Sequence, residues 1–162
     1  MGRLGMLALA TLIGLGPGRA PAQPVGDLAG AWTLVSLTAE SNGVRSEPYG
    51  AHSHGLMIIA SGRFSVTIVR AGIPKFASNN RTAGTADENK AAVGGSLGYF
   101  GAYSVNAADS TVDMRVEAST YPNFEGTNQK RKFSLQGDEL TLTNAAPSGG
   151  GGVATQVWKR VK

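Results

Sequence analysis

A carboxylate and two guanidinium groups recur at strand-like spacing in the second half of the chain. Arg115 and Glu117 stand two residues apart, and Arg131 follows in the next apolar-patterned segment, Thr127 to Leu135. On extended backbone, positions two apart share a face, so Glu117 and Arg131 are candidates to meet across neighbouring strands. Facing inward, such a pair needs further hydrogen bonds to offset its desolvation. It would then be a structural network or a polar anchor at the floor of a pocket, and in an isomerase or cyclase it would supply acid–base chemistry. Facing outward, the same pair is a surface contact of small energetic weight. Both arrangements are open, because Val112, Met114 and Val116 alternate with Arg115 and Glu117 without declaring which face is inner.

Aromatic residues add a second candidate feature. Tyr99, Tyr103 and Tyr121, with Phe64, Phe100, Phe124 and Phe133, supply enough ring area for a pocket wall or for a plain core. The tyrosine hydroxyls could orient a ligand or act as weak acids. His52 and His54 flank Ser53 at a spacing that puts both on one face of a strand, but Glu47 is the closest carboxylate. Two polar residues in a loop is the reading, and no metal site is assigned. A Gly-x-Ser-x-Gly elbow is absent, both histidines fall in one loop, and the four glycines Gly149 to Gly152 lack the Lys and helix of a phosphate loop. No cofactor is implied. Asn80-Arg81-Thr82 fits a glycosylation sequon, which matters only in a eukaryotic secretory cell.

The elements that position these residues read as strands. Ala31 to Ala39, Leu56 to Ala60, Arg63 to Arg70, Gly98 to Asn106, Thr111 to Ala118, Thr127 to Leu135, Glu139 to Asn144 and Val153 to Val161 make about eight, most of them separated by turn residues. Ser61-Gly62 is a two-residue hairpin signal. Thr85 and Glu88 form a capping box ahead of one short helix that ends at Gly94-Gly95. Ala71 to Gly84 is a long aperiodic loop, a candidate lid or mouth together with the helix. Pro147 to Gly152 reads as a flexible connector. The fold class is therefore all-β: a single antiparallel barrel or sandwich with one short helix.

Length and composition agree. A chain of 162 residues is one domain's worth, and 23 glycines with 16% charged residues suit many strands joined by tight turns. Arg3, the apolar run Leu4 to Leu15, the breakers Pro17 and Gly18, and Ala20-Pro21-Ala22 match a secretory signal over residues 1–22, with residues 23–162 as the mature domain. The expected location is outside the cytoplasm, periplasmic or extracellular, with no stable membrane insertion after cleavage. Cysteine is absent, so neither disulfides nor a lipid anchor at the cleavage site is available. The formal charge of +4 includes Arg3 and Arg19, and without them 13 basic and 11 acidic side chains leave +2. The dense basic runs, Lys130 to Lys132 and Lys159-Arg160, lie on strands that split them between faces, so nucleic acid is not an expected partner.

An ordered set of motifs resembles a known family. Gly30-Ala31-Trp32 resembles the Gly-x-Trp of lipocalins, and Trp158-Lys159-Arg160 resembles their last strand, whose Arg closes the barrel across that Trp. Pro48-Tyr49-Gly50, Gly55-Leu-Met-Ile, Ser61-Gly-Arg-Phe-Ser, Tyr99-Phe-Gly-Ala-Tyr, Val112 to Glu117, Tyr121 to Gly126 and Gln129 to Phe133 complete the set. Together they are similar to the bacterial and fungal lipocalin-like domain family across nearly the whole mature chain. One departure is Met114-Arg115 before Val116-Glu117, where that family commonly carries a His pair. The resemblance implies an eight-stranded barrel that holds a small, mostly apolar molecule. Tyr99, Tyr103, Glu117, Arg131, Tyr121 and Phe64 are the candidate ligand contacts, and Trp32 and Arg160 the candidate closure. A small barrel enzyme using Glu117 and Arg131 is the alternative.

Overall fold

Turn chemistry sets the path of the chain. Asn42 and Gly43 take φ of 52° and 74°, and Ser61 and Gly62 take 50° and 74°. Two consecutive left-handed residues are what a type I′ hairpin turn requires. They reverse β1 (Gly30–Ser41) into β2 (Val44–Ser46) and β3 (His54–Ala60) into β4 (Arg63–Val69). The computed structural model describes residues 28–162. The export segment expected over residues 1–22 lies outside the described residues.

After β4 come α1 (Ala86–Gly95), β5 (Ser96–Asn106), β6 (Thr111–Ser119), a single 3-10 turn (Pro122–Phe124), β7 (Asn128–Gln136), β8 (Glu139–Asn144) and β9 (Val153–Arg160). From β3 to β9 each strand pairs antiparallel with the next, and β1 pairs with both β3 and β9. Eight strands thus close into a barrel, while β2 extends one end of β1 outside the ring. Among the described residues, closure leaves the short β2 as the edge strand. The all-β expectation of about eight strands with one short helix holds.

Two one-residue bulges decide which side chains face inward. In β1 the register with β9 steps from Leu34 opposite Trp158 to Ser36 opposite Val157, leaving Val35 as the extra residue. Before the bulge Trp32 and Leu34 are buried; after it Leu37 is buried and Ala39 lines the interior. A second bulge leaves Glu117 unpaired between Val116, opposite Gly101, and Ala118, opposite Phe100. Gly101 is required there, since a Cβ would sit 1.9 Å from the Arg115 carbonyl oxygen.

The interior is filled at one end. Trp32, Met57, Leu140 and Trp158 are fully buried, with Val66, Met114 and Val116 beside them in the same core. Burial of Val112, Met114 and Val116 makes that face of β6 the inner one, so Arg115 and Glu117 point out.

Candidate ligand-binding site

At the other end the barrel interior holds a cavity of about 540 Å³. Its walls are Leu37 from β1, Ile68 from β4, Leu97 and Tyr99 from β5, Tyr121 and Phe124 from the turn after β6, and Gln156 from β9. The rim comes from Tyr49, from Val93 and Gly94 of α1, and from the loop Pro147 to Gly151. Tyr99, Phe124 and Tyr121 stack edge to face in series, at 5.8 and 5.2 Å between centroids. That geometry suits the ring quadrupoles and stiffens one wall.

Arg131 is the single charged residue among the described residues lining the cavity, and it is 2% exposed. It pairs with Val112 across the β6–β7 ladder, so alternation carries it inward. Its Nη2 donates to the Tyr99 hydroxyl oxygen at 3.2 Å, and its guanidinium carbon lies 5.8 Å from the Tyr99 ring centroid. The buried Nε and Nη1 have no hydrogen-bond acceptor among the described residues. At the rim, burial pushes the Tyr49 phenol above its ordinary value, opposed by a bond with Ser148. Tyr49 therefore stays a neutral hydroxyl.

Of the residues expected to contact a ligand, Tyr99, Tyr121 and Arg131 come together at this cavity. Glu117 does not. The Glu–Arg pair assembled from sequence is divided by the barrel wall, because the inner face of β6 is its apolar one and Glu117 occupies the bulge. Its carboxylate instead meets the guanidinium of Arg63 on the outer surface in a two-pronged ion pair, with one contact at 2.6 Å. That bond holds Glu117 below the usual carboxylate range. Among the described residues no carboxylate lines the cavity, so the Glu117 that the isomerase or cyclase alternative used as its base is not there. Tyr103 lies opposite Met114, half-buried against the core, and borders a shallow outer cleft with Asp113, Arg115 and Lys130 instead of the cavity. Phe64 is buried beneath Tyr99, edge-on at 5.7 Å, and does not line the cavity either.

The candidate mouth also differs from the expectation. The C-terminal turn of α1 reaches the rim, but the loop from Ala71 to Gly84 does not line the cavity. It folds onto α1: Glu88 accepts from the backbone nitrogens of Ala77 and Thr85, each at 2.8 Å. Gly84 packs against Phe76. The glycine-rich stretch read as a connector supplies part of the rim instead. Tyr49 and Gln156 were not anticipated as lining residues. Tyr49 stood within a motif of the family resemblance, whereas Gln156 gave no signal beyond strand alternation. His52 and His54 are exposed. Among the described residues, no three His, Cys, Asp or Glu side chains gather in metal-binding range.

At the filled end, Arg160 lies opposite Trp32 in the β1–β9 ladder, its guanidinium carbon 4.1 Å from the ring centroid. Its Nη1 donates to the carbonyl of Ala29 at 2.6 Å, and Trp32 Nε1 donates to the carbonyl of Leu28 at 3.1 Å. The lipocalin-like domain pattern matches residues 29–161, the whole span of this barrel. The chain belongs to the lipocalin-like domain family. This lipocalin-like protein is also similar to the 4'-hydroxy-3'-methoxypropiophenone carrier protein of Aspergillus oryzae. The two are 34% identical over 89 residues, covering 51% of this chain and 80% of that protein.

Proposed function

We propose that the protein is a carrier that binds one small, mostly apolar molecule in the cavity, and that it works outside the cytoplasm after loss of residues 1–22. The observation that carries the binding reading is the cavity of about 540 Å³, walled by Leu37, Ile68, Leu97 and the Tyr99–Phe124–Tyr121 series. Its volume falls within the range of about 300–1,000 Å³ typical of small-molecule sites. Mostly apolar walls with a few placed polar groups favour a ligand with a hydrophobic body and one or two polar atoms. The fungal relative supports the reading, since its name makes it a carrier of a substituted aryl ketone. The proposed export rests on the sequence pattern of residues 1–22.

The test is native mass spectrometry of the purified barrel, residues 23–162, after incubation with a solvent extract of the source cells. One bound small molecule per chain, released on denaturation, is the expected result. A protein that stays at its own mass across extracts of differing polarity overturns the carrier reading. Fusing residues 1–27 to a periplasmic reporter tests export separately, and retention of the reporter in the cytoplasm would refute it.

A further inference from the structure

Resting on the carrier reading, we propose that the ligand carries one oxyanion, a carboxylate or an ionised acidic phenol, and that Arg131 with Tyr99 is the subsite that takes it. A guanidinium 2% exposed to solvent is costly unless a counter-charge and acceptors meet it. Here protein groups supply neither in full. Of its nitrogens, Nη2 has the Tyr99 hydroxyl, while Nε and Nη1 are buried without an acceptor among the described residues. The other described residues that line the cavity are apolar or neutral, with no Asp or Glu among them. The three ion pairs among the described residues all lie elsewhere, on Glu117 and Asp138. The local charge of the cavity is therefore positive and is left for a guest to neutralise.

Tyr99 completes the subsite. Its hydroxyl oxygen accepts from Arg131, so its own hydrogen remains to be donated. Phe64 and Phe124 hold the ring on two sides, at 5.7 and 5.8 Å. An oxyanion reaching this end of the cavity would accept from both residues, with its apolar body along Leu37, Ile68 and Leu97. Charge-assisted bonds are the stronger class of hydrogen bond, so the subsite selects acids over their neutral isosteres.

The experiment compares 3-(2-naphthyl)propanoate with 3-(2-naphthyl)propanamide by calorimetric titration of the barrel at neutral pH. The expected result is that the acid binds about tenfold to a hundredfold tighter than the amide. In Arg131→Met the acid falls to the affinity of the amide, while the amide itself is unchanged. Arg131→Lys, which keeps the charge without the planar fork, retains part of the preference. Equal affinity of acid and amide in the unmodified protein overturns the oxyanion subsite and leaves the carrier reading standing. Equal losses for both probes in Arg131→Met assign Arg131 a structural role and also overturn it. Binding of neither probe counts against both readings.

Discussion

Trp32 and Arg160 stack across the β1–β9 ladder that closes the barrel. The indole is fully buried, its nitrogen is bonded to Leu28, and its face is covered by a guanidinium that is itself tied to Ala29. Gly30 makes room for this, since a Cβ there would sit 2.9 Å from Arg160 Nη1. Truncating Trp32→Ala removes a large ring from a close-packed end and should destabilise the fold by about 3–5 kcal/mol. Denaturant titration measures this, and a loss below about 1 kcal/mol would mean that the contact is peripheral. Glu117 gives the opposite expectation. Its exposed pair with Arg63 lies outside the wall, so Glu117→Gln should leave the affinity for either naphthyl probe unchanged within twofold. A tenfold loss would place Glu117 in the site after all.

At the scale of elements, the Glu88 carboxylate is one tie between the Ala71–Gly84 loop and α1. Backbone bonds from Ala77 and Thr85 hold Glu88 below its ordinary value of 4.5. A depressed carboxylate contributes stability that is present above 4.5 and is lost as pH falls through the lower folded value. The protection of the Ala77 and Thr85 amides, their exchange rates taken relative to the unstructured chain at the same pH, should therefore fall in acid below that window. In Glu88→Gln both amides should exchange faster at neutral pH, and the acid dependence should shrink. Unchanged protection in that variant would show that the loop is held by other contacts. A further element, the β5–β6 bulge, depends on Gly101. With a Cβ meeting backbone that cannot step aside cheaply, Gly101→Ala should cost about 1–3 kcal/mol in the same denaturant titration.

These elements also explain what could be read in advance. Period-2 alternation and turns such as Ser61-Gly62 are local, so the strands, the hairpins and the capped helix were legible from neighbouring residues. The interior face of β6 was not, because both faces of the strand carry a regular pattern and only closure of the barrel selects one. The single-residue bulges at Val35 and Glu117 shift the inward phase without any composition signal of their own. The cavity rim unites Tyr49, Val93 and the loop after Asn144, segments far apart in sequence that only the closed barrel brings together. Arg131 and Tyr99 were legible as candidates one at a time. Their hydrogen bond across an intervening strand was not.

For the whole molecule, the division of the barrel into a filled end and an open end is the feature that links fold to function. Packing around Trp32, Met57, Leu140 and Trp158 anchors the structure, leaving the other end free to form a cavity without loss of closure. Ligand occupancy should then stabilise the folded barrel by mass action, by about 2.7 kcal/mol when free ligand is at a hundredfold its dissociation constant. Thermal melts across a ligand series would record this as a concentration-dependent rise. The most direct test of binding within the cavity is to block it. Ala39 lines the cavity near the end of β1, and Ala39→Trp would project an indole into the space beside Leu37. Native mass spectrometry of both proteins after incubation with the same extract, alongside circular dichroism to verify folding, reads the outcome. One bound small molecule on the unmodified barrel and none on a folded Ala39→Trp is the predicted result; equal occupancy of the two would contradict the assignment of the cavity as the binding site.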